Sequence, residues 1–242
     1  MTPRRSAGRS EGRLVSDVES RLWDSMEDQM ALSARAKKIV SEINNGDTKF
    51  GDLKKRGKEL KQDHELALEL WSTGEYHPRL LSTLIFDKKR LEESVVEELA
   101  TDLMENNEAE RNQVGEWLLA NQLMKSKKLV GFIQSWQENP SPILRRVFWY
   151  HQARLRWTGQ TPPDNSIDLL DSLEEDMESA EPEVQWAMDF CACQIGVFEV
   201  KLRPRCIKLG KRLGLYRDDP VAKNCTPSYL PEFIRIEAAK RK

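Results

Sequence analysis

The stretch Ser141–Trp157, SPILRRVFWYHQARLRW, concentrates the side chains of this chain best suited to chemistry on a phosphate-bearing ligand. Drawn as an α-helix, it splits into two faces. Leu144, Val147, Phe148, His151 and Leu155 form a core-facing stripe. Arg145, Arg146, Trp149, Tyr150, Arg156 and Trp157 collect opposite, around the small Ala153. Guanidinium groups bind phosphate bidentately, and indole and phenol rings stack on bases or hold cations. A helix showing both together suits a nucleic-acid backbone. The same pattern also arises when Trp149 and Trp157 pack on a neighbouring helix and the arginines are solvated.

The carboxylate Glu116, in NNEAERNQVGEWLLANQL, becomes a candidate only through the family resemblance given below. It lies opposite Val114 and Leu118 and near Asn112, Leu119 and Leu123, on a face that is itself partly apolar. A carboxylate there has a raised pKa unless a cation such as Arg146 pairs with it. Glu116 is therefore read either as a ligand-facing carboxylate or as half of a structural ion pair. Other basic clusters are Lys54, Lys55, Arg56, Lys58 and Lys61; Lys125, Lys127 and Lys128; and the run Lys201–Arg212. Each reads as a phosphate strip or as a solvated helix face. The acidic run Asp171–Glu183 belongs on an outer, solvent-facing helix.

No metal or cofactor is expected. The four cysteines, Cys191, Cys193, Cys206 and Cys225, contain no CxxC pair. Cys191 and Cys193 point roughly 160° apart on a helix, which does not suit one tetrahedral ion. They read as buried, reduced thiols of a cytoplasmic protein, nucleoid-associated or, in a eukaryote, nuclear. His64, His77 and His151 have no ligand neighbour at helical spacing, and His151 sits on an apolar face. No apolar run approaches the roughly 18 residues a membrane span requires, and no apolar segment follows the basic N-terminus as in a signal peptide.

The elements that position these residues are helices. Of 242 residues, 32% are charged and 39% apolar, a mixture suited to amphipathic helices, and no segment alternates as a strand does. The net charge of −2 excludes a uniformly basic nucleic-acid binder and leaves only local clustering. Residues 1–12 read as a disordered Arg/Ser/Gly-rich tail, and 13–242 as one domain. A helical pattern runs through Leu14, Val18, Leu22, Met26 and Met30, and a second helix ends at Asn44-Asn45-Gly46-Asp47. Further helices are expected over Gly51–Leu60, His64–Thr73 (closed by Gly74), Tyr76–Phe86, Leu91–Glu105, Glu108–Met124 and Lys127–Gln137. After the basic-aromatic helix come Ile167–Ser179, Pro182–Phe198, Leu202–Leu213 and Ser228–Lys240. About twelve helices joined by short turns imply stacked pairs repeating every 35–45 residues or so, an all-α solenoid or superhelix of HEAT-like helical pairs with a concave surface.

Three separated runs carry a resemblance. FGDLKKRGKELKQDHELALELW (Phe50–Trp71) resembles the opening repeats of the DNA alkylation repair proteins, the AlkD-like HEAT-repeat glycosylases. SAEPEVQWAMDFCACQIGVF and RPRCIKLGKRLGLYRDDPVAKNCTPSYLPEFI resemble the C-terminal half of a divergent branch. The resemblance implies a C-shaped stack holding double-stranded DNA along a basic concave channel. It further implies release of cationic N3- or N7-alkylpurines by hydrolysis of the N-glycosidic bond, without a cofactor. That reaction uses a carboxylate near the deoxyribose for developing oxocarbenium charge, an arginine on the phosphate and aromatic rings against the sugar. Carried over, the arginine falls on Arg146 and the carboxylate on Glu116. The position of its aromatic partner falls on Asn112, which a one-turn shift makes the carboxylate position instead. The second aromatic falls on Phe190. Arg145, Arg146, Trp149, Arg156, Trp157, Asn112 and Phe190 are thus the expected DNA contacts. Glu in place of the family's Asp adds a methylene, and misplacement by an ångström can cost about 100-fold in rate. Two functions remain open: an alkylpurine glycosylase, or a catalytically silent HEAT-like scaffold for DNA structures or a protein partner.

Overall fold

The computed structural model describes residues 32–241; the expected tail 1–12, the domain start at 13 and the helix through Leu14–Met30 lie outside the described residues. Among the described residues there are twelve α-helices and no strand. They are α1 Ala34–Ile43, α2 Phe50–Leu60, α3 His64–Trp71, α4 Tyr76–Ile85, α5 Glu93–Asp102 and α6 Glu108–Asn121. After them come α7 Lys127–Ser135, α8 Pro142–Trp157, α9 Ser166–Asp176, α10 Pro182–Phe198, α11 Arg203–Leu213 and α12 Leu230–Ala239.

The boundaries follow local chemistry. Ser33, Asp63 and Asn107 accept a backbone N–H with their side chains at the starts of α1, α3 and α6. Proline occupies the first turn of α8, α10, α11 and α12, where no intrahelical N–H is needed. Single 3-10 turns close α5, α6 and α7, so those helices end a few residues earlier than their periodicity suggests. Gly74, at φ +73°, follows α3 and returns its N–H to Trp71.

The even-numbered helices touch one another in order: α2 with α4, α4 with α6, α6 with α8, α8 with α10, and α10 with α12. The odd-numbered helices back them, α3 against α4, α7 against α8, α9 against α10, and α11 against both α10 and α12. This two-layer stack is the expected all-α superhelix of HEAT-like pairs. Its core runs between the layers through Leu70, Trp71, Leu81, Ile85, Leu119, Trp136, Leu170 and Ile195. Two glycines permit close crossing near the C-terminus. A Cβ on Gly196 of α10 would lie 2.3 Å from Ile234 Cδ1, and one on Gly210 of α11 would lie 2.7 Å from Pro231 Cδ.

Candidate nucleic-acid interface

Glu116 and Arg146, 30 residues apart in sequence, meet where α6 crosses α8. Arg146 Nη2 donates to Glu116 Oε1 at 2.6 Å, Nη1 donates to the Glu183 carbonyl at 2.9 Å, and the guanidinium lies 4.7 Å from the Trp186 ring centroid. Arg146 is buried, and a quarter of the Glu116 side chain remains exposed. The Glu183 carboxylate is itself buried and takes a bidentate bond from Arg111, at 2.8 and 3.2 Å. Two arginines and two glutamates therefore alternate across α6, α8 and α10 with balanced charge. The space between Arg111, Asn112, Glu116, Arg146 and Tyr150 is a cavity of ≈ 10 Å³, about one water. Burial, then the nearby Glu116 charge, pushes the Tyr150 phenol up to about 12, so it stays protonated. Asn112 Oδ1 faces buried space with no partner among the described residues.

Beside this network runs an aromatic shelf. Tyr150 stacks on Trp186 (6.2 Å, 26°) and Trp186 on Phe190 (5.3 Å, 16°). Trp157 and Phe233 meet Phe190 nearly at right angles, at 6.3 and 6.1 Å. Trp157 is 48% exposed; Trp186, Phe190 and Phe233 are partly covered. The shelf spans α8, α10 and α12, and Arg154 lies 5.7 Å over the Trp157 ring.

The structure brings Glu116, Arg146, Asn112, Phe190 and Trp157 to one wall, but it corrects the expected solvent-facing side of α8. Trp149 is 2% exposed and meets Phe148 edge-on at 5.1 Å, so it offers no ring face to a ligand. Arg156 is 3% exposed. It donates to Glu199 at 2.7 Å, to the Gln152 carbonyl at 2.9 Å and to Ser166 Oγ at 2.5 Å. Arg145 turns the other way, to the Asn139 carbonyl at 2.6 Å and to Glu181. The reason is packing. A middle helix of the inner layer is covered by α6 and α10 on its flanks and by α7 behind, which leaves a narrow free stripe. The acidic run also needs correction at its end, because Glu183 is buried with Arg111 rather than solvated.

The basic clusters separate into paired and unpaired groups. Arg205 bonds Glu174 and Asp171 of α9, holding the Glu174 carboxyl below its usual range, so part of the Lys201–Arg212 run is matched to the acidic helix. Lys128 pairs with Glu92, and Arg56 with Glu42 and Glu59. Lys54, Lys55, Lys58 and Lys61 are exposed without an ion-pair partner among the described residues, and Lys54 Nζ lies 5.4 Å from the Trp117 ring. Cys191, Cys193 and Cys206 are buried, and Cys225 is exposed, unlike the expectation for all four. His151 is buried, as its apolar face suggested. Among the described residues no three potential ligands cluster for a metal, and no helix is long and apolar enough to cross a membrane.

Trp186 and Phe233 complete the shelf and were not singled out as site residues. Trp186 stands four residues before Phe190 on the same helical face, a readable signal; Phe233 arrives from α12 and leaves no local trace.

The family model described as DNA alkylation repair enzyme matches residues 47–191. A solved structure, described as from "a new family of proteins related to the HEAT-like repeat DNA glycosylases with affinity for branched DNA structures", superposes with a TM-score of 0.61 at 18% identity. The match covers 90% of this chain and 94% of that one. No curated protein matches the chain.

Proposed function

The chain belongs to the DNA alkylation repair enzyme family, and from that premise we propose that it is a member that binds branched duplex DNA without cleaving glycosidic bonds. The observation that carries this reading is the Glu116–Arg146 pair at 2.6 Å in a cavity of ≈ 10 Å³. A carboxylate stabilises an oxocarbenium ion through its net negative potential at the sugar. A guanidinium at bonding distance cancels most of that potential. The aromatic shelf and the lysines of α2, exposed and without an ion-pair partner among the described residues, suit a different task. Lysines hold backbone phosphates, and partly exposed rings stack on bases that lack a partner, as at a branch point. The affinity for branched DNA in the description of the similar structure supports the same reading.

A glycosylase reading is favoured by one fact, the meeting of the two implied catalytic residues on one wall. There Glu116 would stabilise the sugar cation and Arg146 would clamp the phosphate.

The test pairs two assays. Four-way junctions and linear duplexes of equal length are titrated at two salt concentrations, and base release is followed from duplexes carrying N3-methyladenine or N7-methylguanine. We expect tighter, salt-dependent binding to the junction and no release. Release that disappears in Glu116→Gln would overturn the proposal in favour of the glycosylase. Equal binding to junction and linear duplex would remove the branched-DNA assignment.

A further inference from the structure

A second cavity, of ≈ 240 Å³, opens between α8, α10 and α12, lined by Trp157, Phe190, Gln194, Phe233, Glu237 and Arg241. It is smaller than the roughly 300–1,000 Å³ of drug-sized pockets and of a size for one planar heterocycle. Three of the six residues are aromatic, and Trp157 is about half exposed. Gln194 is only 4% exposed and borders this cavity.

The polar groups select among guests. Glu237 accepts from Lys240 Nζ at 2.7 Å and from Thr226 Oγ1 at 2.6 Å, which hold its carboxyl below the usual range and keep it an anionic acceptor. A carboxylate inside repels phosphate and accepts from an amino group. The Gln194 amide offers one donor and one acceptor face, the pattern that reads an adenine edge. Arg241, 4.6 Å over Phe198, lines the cavity, and Arg154 lies over the Trp157 ring that borders it.

We infer that this aromatic cavity receives a single unpaired, amino-bearing nucleobase, adenine best, extruded at a branch or bulge. The inference rests on the DNA-binding reading above and specifies which part of the DNA is held.

The test uses the full chain and four duplexes that differ at one site: fully paired, a bulged adenine, a bulged thymine and a bulged abasic residue. Affinities are measured by anisotropy, and a bulged 2-aminopurine reports stacking by its fluorescence. The expected order is adenine tightest, thymine weaker, and abasic close to fully paired. Adenine should exceed abasic by roughly tenfold, the scale of one base stacked on aromatic rings, and 2-aminopurine should be quenched on binding. Trp157→Ala should remove the advantage of the adenine bulge over the abasic bulge. Gln194→Met, of similar shape, should erase the adenine–thymine difference. Equal affinity for adenine and abasic bulges, with 2-aminopurine unquenched, overturns the cavity assignment while leaving DNA binding intact. Absence of binding to all four duplexes overturns both.

Discussion

Replacing Arg146 with alanine separates a structural staple from a free phosphate clamp. In the folded protein Arg146 bonds Glu116 at 2.6 Å and the Glu183 carbonyl at 2.9 Å, and covers Trp186 at 4.7 Å. Removing one partner of a buried ion pair costs about 3–5 kcal/mol because the other charge is stranded. Here a quarter of the Glu116 side chain reaches water, so part of that charge is resolvated and the lower end, about 3 kcal/mol, applies. For a chain of this size that corresponds to a fall in Tm of about 6–12 °C. Glu116→Gln is gentler. It keeps an oxygen opposite Nη2, and Arg146 keeps its carbonyl and its ring, so about 1 kcal/mol is expected. Arg146→Lys falls between, since an ammonium cannot serve two acceptors with a planar fork. Calorimetry or urea unfolding of the three variants reads the order directly. A free clamp is not part of the fold, so an Arg146→Ala protein unfolding within about 1 °C of the parent would refute the reasoning. Glu116→Gln also becomes the cleaner probe of chemistry, because it tests the carboxylate without dismantling the wall.

Two buried titratable groups give opposite pH responses. Burial pushes Asp189 up to about 8, so between about pH 4 and 8 the folded state keeps a proton that the unfolded chain releases; stability falls across that window by up to about 1.4 kcal/mol per pH unit. Burial, then the Arg154 charge, pushes His151 down to about 4, so between about 6.5 and 4 the unfolded chain holds the extra proton and stability falls as pH falls. Urea unfolding from pH 4 to 8 should therefore show Asp189→Asn gaining on the parent as pH rises and His151→Gln gaining as pH falls; parallel curves would remove both assignments. At the α10–α12 and α11–α12 crossings an added methyl overpacks by about 1–3 kcal/mol. Gly210→Ala should cost more than Gly196→Ala, because it meets the Pro231 ring at 2.7 Å and Leu230 Cβ at 2.8 Å, whereas Gly196 meets chiefly the flexible end of Ile234. Thermal unfolding ranks the two.

The helices were legible because each is written locally. Apolar spacing marks their buried sides, while several starts are fixed in the structure by Ser33, Asp63, Asn107 and the first-turn prolines. The convergence of Glu116, Arg146 and Phe190 was reachable only through the family resemblance, since no local pattern says that α6, α8 and α10 are neighbours. The sidedness of α8 was misread for a physical reason. A helical wheel assumes one buried face, whereas an inner-layer helix is covered on three sides, so Trp149 and Arg156 are as buried as Phe148. Phe233, and with it the cavity beside Phe190, depends on where α12 docks, which its ten residues do not encode by themselves.

That same packing explains why arginine, rather than lysine, sits at these junctions. Arg79 of α4 donates to the Trp71 carbonyl at 3.2 Å, the Asp102 carbonyl at 2.8 Å and Glu105 at 3.1 Å. Arg111 links α6 to α10, Arg146 links α8 to α6 and α10, and Arg156 ties the end of α8 to Ser166 and Glu199. The C-terminal ends of helices leave carbonyls without intrahelical donors, and Arg79 takes two of these, at Trp71 and Asp102. A guanidinium can satisfy a carbonyl and a carboxylate at once, in one plane, while remaining stacked on an indole. An arginine-rich, tryptophan-rich helix in a stacked-pair protein is therefore ambiguous by composition: the groups that would grip a phosphate also cap and join repeats. What distinguishes the two uses is the partner. Arg146 and Arg156 already have theirs inside the protein, whereas Trp157 is exposed with Arg154 over its ring, and Lys54, Lys55 and Lys58 of α2 are exposed with no ion-pair partner among the described residues.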